Sequence, residues 1–300
     1  MEQDAREREI QALISMIDDP DPEVFREIFL KIIQMGYDAL PFIEEAEVNM
    51  PDKKPDKDLR KRITSIKNGI HYEQLSADLF AWAASPEKDL LSAWLSVSRY
   101  NYPDICDSEI RREIGNIRQD VWLEINENLT ALEQIKVFNH VFYGIHRFQG
   151  NLEDYHDPDN SLINRVLKTK KGSPLSMGLL YMLVARSLDL PVKGINLPEH
   201  FVLAYMGETL DSSRMKVKED VPLFYINAFS GGDLFSAREI NKFLKKLDFE
   251  PLPEFFRPCT DLEILMRMLN SLAASYDTTG DSGKKSDLEN LRNRLEESFA

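Results

Sequence analysis

Three side chains in the second half of the chain have the types that acyl-transfer chemistry needs. Ser176 stands in the first turn of a helix that opens at Ser173-Pro174, His200 opens a strand, and Asn227 lies near the end of a later one. A hydroxyl at a helix start sits among free amides at the positive end of the macrodipole, where an anion is stabilised. An imidazole within reach takes the hydroxyl's proton, and a third group on the other ring nitrogen fixes the tautomer. The same residues also have plainer uses. Ser173 reads as an N-cap, Ser176 as a partner for the backbone of its own first turn, His200 as a hydrogen-bonded structural residue, and Asn227 as a strand-end side chain that satisfies local backbone.

The elements that must position them follow from pattern. From Leu175 to about Leu188 the chain is apolar on nearly every side, which predicts a buried helix. Strands are expected over Val192–Leu197, Phe201–Met206 and Leu223–Phe229, rich in Val, Ile, Phe and Tyr and punctuated by Pro198, Gly207 and Gly231-Gly232. The polar stretch from Gly207 to Asp220 reads as an exposed hairpin loop. Upstream, Thr130-Ala-Leu-Glu133 is a capping box whose helix should run to about His146, and a helix over 161–170 should close at Gly172. Downstream, Ser236-Ala-Arg-Glu239 and Thr260-Asp-Leu-Glu263 open further helices, ending in a pair around the turn Asp277 to Ser286.

The first third is helical throughout. Ile10, Leu13, Ile14 and Ile17 recur at helical spacing, Asp-Asp-Pro-Asp-Pro at 18–22 breaks the chain, and a second stripe from Val24 to Ile33 ends at Gly36. The two resemble a HEAT-type hairpin. Residues 51–58 read as a polar loop, and 108–126 as a helix on Ile110, Ile114, Ile117, Val121 and Ile125.

Charge and composition exclude several classes. The 300 residues carry 37 Lys+Arg against 51 Asp+Glu, a net charge of −14. Nucleic acid is therefore a poor partner, because every phosphate would be repelled and no basic stripe offsets this. The run Lys168-Thr-Lys170-Lys171 belongs to a helix end, where cations complement the macrodipole. The start is charged and unlike a signal peptide, and no apolar run reaches the ~18 residues of a membrane span. Cys106 and Cys259 form neither a disulfide framework nor a zinc pattern, which fits a reducing cytoplasm. No metal is expected. His140 and His146 fall on different faces of their helix, and the acidic stretch Glu153–Asp159 lacks calcium-loop spacing. No nucleotide or flavin motif is present, so no cofactor is expected.

One segment is more specific. Lys171-Gly-Ser-Pro-Leu-Ser176, the helix ending in Ala-Arg186-Ser-Leu-Asp-Leu-Pro191, and Leu-Pro-Glu-His-Phe201 together resemble the signature of the SirB-type transglutaminase-like family. Phe148-Gln-Gly-Asn151 with Asp157-Pro-Asp-Asn160 is similar to that family's upstream loop, and Tyr225-Ile-Asn-Ala-Phe229 to its downstream strand. The resemblance covers roughly residues 130–235. It implies a papain-like core with a nucleophile at the helix start, a histidine from one strand and an Asp or Asn from the next. It also implies a helical N-terminal extension and a degenerate tetratricopeptide-like tail. In active relatives a cysteine lies twelve residues before the Arg of the Arg-x-Leu signature, and that position here is Pro174. The Asp of active relatives is Asn227.

These readings give an α+β, predominantly helical fold with three parts: a helical region over 1–128, a transglutaminase-like core with a small antiparallel sheet over 129–235, and a helical region over 236–300. The expected function is a cytoplasmic bacterial pseudoenzyme that binds or regulates a protein or peptide partner. The alternative is an amide or ester hydrolase, or an acyltransferase, using Ser176, His200 and Asn227.

Overall fold

The computed structural model describes residues 2–48, 57–211 and 216–299. The chain divides into two compact units. One runs to Ser85 and takes in Arg99–Pro103; the other comprises Pro86–Ser98 and everything from Asp104 onward.

The first unit holds α1 (Glu2–Ile14), α2 (Pro22–Met35), α3 (Leu40–Val48) and α4 (Lys57–Ala84). The Asp21 carboxylate accepts from Glu23 N–H to start α2, Pro22 fills its first turn, and Gly36 ends it at φ 63°. Their common core is almost entirely isoleucine: Ile10, Ile17, Ile28, Ile32, Ile43, Ile63, Ile66 and Ile70. Of the loop expected over 51–58, residues 51–56 lie outside the described residues, and Lys57 and Asp58 already belong to α4.

The second unit takes in α5 (Leu90–Arg99), α6 (Asp107–Glu124) and α7 (Ala131–Asn139), which continues as a π-helical turn over His140–Ile145. The regular helix thus stops seven residues short of His146. A two-stranded parallel pair follows, β1 (Gln149–Gly150) with β2 (Lys171–Gly172), enclosing α8 (Ile163–Thr169). The expected closure of α8 at Gly172 falls instead on Lys170, which takes the left-handed conformation at φ 59°. The Lys170 ammonium is held by Glu113 and lies over the Phe148 ring.

Next comes α9 (Pro174–Arg186), then an antiparallel sheet in the order β3 (Val192–Leu197), β4 (His200–Asp211), β5 (Lys216–Asn227) and β6 (Asp233–Phe235). The polar segment expected as a loop is mostly paired: Thr209 faces Lys218, Leu210 faces Val217 and Asp211 faces Lys216. Ladder bonds belong to the backbone, so polar side chains did not prevent the strands from extending. The chain ends in α10 (Ala237–Lys246), α11 (Asp261–Thr279) and α12 (Ser282–Phe299), the last two packed together around Gly280 at φ 83°.

Both faces of the sheet are covered, which is why β4 reads as a continuous apolar run rather than an alternating one. Side chains of successive residues point to opposite faces. Ile195, Leu197, Val202, Ala204, Met206 and Tyr225 pack with Ile240 and Leu244 of α10, while Phe201 packs on the other face against Gly178 of α9. Full burial of a ring such as Phe201, 1% exposed, contributes about 1.5–3 kcal/mol. Among the described residues no helix is long and apolar enough to cross a membrane.

Candidate functional site

The start of α9 is built by two serines. Ser173 caps the helix and accepts from Ser176 N–H at 3.2 Å, while Ser176 Oγ accepts from Ser173 N–H at 2.8 Å, a capping box with serine in the place of the usual Glu or Gln. The Ser176 hydroxyl then donates to the main-chain oxygen of Asn160 at 2.5 Å. Asn160 is itself fixed. Its Nδ2 donates to Asp154 O at 2.6 Å, and its Oδ1 accepts from Asn151 Nδ2 at 2.9 Å. The parallel pair brings this loop against the helix start: a Cβ on Gly172 would come within 2.5 Å of Ser176 Oγ, so only glycine fits there. Ser173 and Ser176 border an enclosed gap with Trp94, Leu179 and Met268 that has no room for a water molecule.

His200 and Asn227 meet at the end of the sheet. Strand parity puts His200 on the face of Val202 and Ala204, and the β4–β5 register puts Asn227 on the same face as Tyr225. The His200 ring lies 6.1 Å from that of Phe243 on α10. Burial holds its pKa below the ordinary value, a hydrogen bond with the Asn227 side chain partly opposes this, and the Arg267 charge adds to the lowering. The imidazole is therefore neutral near pH 7. Asn227 Oδ1 also accepts from Phe229 N–H at 3.2 Å and Ser230 N–H at 3.3 Å, which caps the 3-10 turn Ala228–Ser230. Two of the three residues singled out from sequence thus share one face and lie beside each other. Ser176 stands on α9, which covers the opposite face of the sheet.

Neither cysteine stands at the start of α9. Cys259 lines a small recess with Asn196 and Glu263, and burial pushes its thiol up to about 11, opposite to what a reactive thiolate needs. Cys106 is exposed at the start of α6. Among the described residues no three His, Cys, Asp or Glu side chains converge as metal ligands. The acidic stretch has local uses instead: Glu153 pairs with Lys171, Asp157 caps a 3-10 turn, and Asp159 pairs with Arg165.

Sequence reasoning missed Arg267. It sits beside the apolar stripe Ile264, Met268 and Leu272 of α11, a charge adjoining a buried face, and that placement was the available signal. Its guanidinium donates to Asn196 Oδ1 and, at 2.8 Å, to Leu197 O, next to the turn that delivers His200. Tyr155, whose ring meets Phe229 edge-on at 6.0 Å, lies within electrostatic reach of it.

Comparison with known proteins identifies a family. The family model described as the transglutaminase-like superfamily matches residues 108–270, just over half of the chain. A UPF0162 protein of Xylella fastidiosa (strain 9a5c) is 26% identical over 220 residues, 69% of this chain and 73% of its own length. The UPF0162 protein YchA of Escherichia coli (strain K12) is 29% identical over 156 residues, 51% of this chain and 53% of its own. F-box only protein 21 of Mus musculus is 35% identical over 121 residues, which is 39% of this chain but 18% of that protein. No solved structure matches.

Proposed function

Because the chain belongs to the transglutaminase-like superfamily, we propose that it is a member without acyl-transfer chemistry that binds a protein or peptide beside His200. The observation that carries this reading is the state of Ser176. Its single hydroxyl proton is given to Asn160 O, so it is not held for the imidazole, and its helix lies on the opposite face of the sheet from His200 and Asn227. A serine needs a general base more than a cysteine does, because its hydroxyl is far less acidic. Pro174 at the expected cysteine position and the protonated Cys259 support the same conclusion. About two fifths of the chain also recurs within a small part of a much longer F-box protein, as a portable binding module would.

The finer placement, a SirB-type member with a tetratricopeptide-like tail, rests on the motif from Lys171 to Phe201 and on the α11–α12 pair. A regulatory role in a bacterial cytoplasm rests on the two free cysteines and on the bacterial UPF0162 relatives. The second reading, a hydrolase or acyltransferase, is favoured by one observation, the Asn227 side chain beside the His200 ring on one face of the sheet.

The test uses the full chain against panels of chromogenic esters, anilides and amide donors, beside peptide display. The expected result is no turnover and recovery of binding peptides whose affinity falls with His200→Ala. Turnover abolished by both Ser176→Ala and His200→Ala would establish the hydrolase instead.

A further inference from the structure

A groove of about 1070 Å³ runs between the β3–β4 turn and the helices α11 and α12, with Glu199, Arg257, Arg267, Arg292 and Glu296 among its lining. Its three arginines differ in what holds them. Arg257 is spent on a two-pronged ion pair with Glu263. Arg267 donates only to the neutral oxygens of Asn196 and Leu197, and both bonds leave from Nη1. Arg292 donates to the amide oxygens of Asn270 and Asn293, each at 2.8 Å. Among the described residues, Nε and Nη2 of Arg267 have no protein acceptor, although most of the side chain is covered.

Glu199 lies within electrostatic reach of Arg267 but makes no hydrogen bond to it, so the hydration lost by the guanidinium is replaced mainly by neutral dipoles, which compensate it only in part. Burial accordingly pushes Arg267 below the ordinary arginine value. In a chain of net charge −14, this is a local site for an anion rather than part of a general positive field. A planar guanidinium with two donor nitrogens left over, Nε and Nη2, matches the two oxygens of a carboxylate. A doubly charged phosphate fits worse, because Glu199 and Glu296 share the groove and repel the second charge.

We propose that this groove binds a peptide carboxylate on Arg267, with Arg292 as a second cationic anchor. The inference rests on the peptide-binding reading above and names the group recognised. It leaves open only whether the carboxylate is the peptide's C-terminus or an acidic side chain.

The experiment follows the arginine Nε–H signals of the full chain by NMR with four probes. These are acetyl-trialanine as the free acid, the same tripeptide amidated, acetyl-Ala-Glu-Ala amide, and inorganic phosphate. The expected result is a saturable shift of the Arg267 signal with the free acid, the glutamyl peptide or both, and none with the amidated trialanine. Affinity should weaken about tenfold in Arg267→Gln and severalfold in Arg292→Gln, with the urea midpoint of each variant checked against wild type. Which carboxylate probe binds tells the two sources apart. Equal shifts from acid and amide, tighter binding of phosphate, or affinity unchanged in both variants would overturn the inference. A display-selected peptide that binds wild type and Arg267→Gln alike removes this inference and leaves peptide binding standing. Turnover dependent on Ser176 removes the peptide-binding reading, and the acid–amide comparison still decides the carboxylate site.

Discussion

Ser176 Oγ lies 2.5 Å from the main-chain oxygen of Asn160 and donates to it, while Ser173 N–H reaches the same oxygen at 3.0 Å. The helix start and the upstream loop are thereby joined at one atom. The asparagines of the two loop motifs, Asn151 and Asn160, form the brace behind it. Ser173, Ser176 and the two loop asparagines together hold the helix cap in place.

Ser176→Ala removes that bond and half of the capping box, leaving Ser173 N–H with a weaker set of acceptors inside a buried site. The expected cost is about 1–3 kcal/mol of folding stability. Urea denaturation measures it, and peptide affinity should not change in the folded fraction. A variant as stable as wild type would mean that the hydroxyl is free for other work.

His200 titrates with a depressed pKa in the fold, so between that value and the ordinary value of 6.5 the unfolded chain binds more protons than the folded one. Stability from this group is therefore fully present above about pH 6.5 and is lost as the pH falls through the folded pKa. His200→Gln should flatten the stability profile below pH 6.5. Asn227→Ala, by removing the bond that raises the pKa, should move it further down. NMR titration of the imidazole reads both effects, and a pKa above 6.5 in wild type would contradict the burial described for the ring.

Much of this was legible in the sequence because it is written in local chemistry. Thr130 and Glu133, or Thr260 and Glu263, announce their helices by side chains that satisfy amides three residues away. Phe201–Met206 was legible because covered strands are unbroken apolar runs. The extension of β4 and β5 was not, since backbone pairing leaves no mark in polar side chains. Nor was the separation of Ser176 from His200: it depends on the parity of β4 and on which helix covers which face, and both are tertiary facts. Arg267 was hidden for the same reason, because its role comes from Asn196 and Leu197, some seventy residues away.

The two thiols should differ in reactivity by position alone. Cys106 is exposed, and the Ser108 hydroxyl and Glu109 amide lower its pKa; burial pushes Cys259 up to about 11. Limited iodoacetamide at about pH 7.5, followed by peptide mass spectrometry, should label Cys106 well before Cys259, since the thiolate is the reactive species. Full alkylation of Cys106 should leave peptide binding intact. Faster labelling of Cys259 would reopen thiol chemistry next to the groove.

Alanine at two helical glycines should change stability in opposite directions. Gly115 is exposed in the middle of α6, and a Cβ there meets nothing within 4 Å. Gly115→Ala therefore keeps only the gain from a less mobile unfolded chain and better helix propensity, about 0.5–1 kcal/mol. Gly178 is buried in α9, where a Cβ would stand 2.8 Å from Cδ1 and 2.9 Å from Cε1 of Phe201. The ring cannot retreat, because a Cβ on Gly194 of β3 would already be 2.6 Å from its Cζ. Phe201 is clamped between two glycines, and it directly follows His200. Gly178→Ala should thus lose about 1–3 kcal/mol despite the same propensity gain, as overpacked cores do, and should shift the His200 imidazole resonances by moving α9 off the sheet. Paired urea midpoints read the two signs. If Gly178→Ala stabilised the chain as Gly115→Ala does, the close approach of α9 to β4, and with it the barrier between Ser176 and His200, would be wrong.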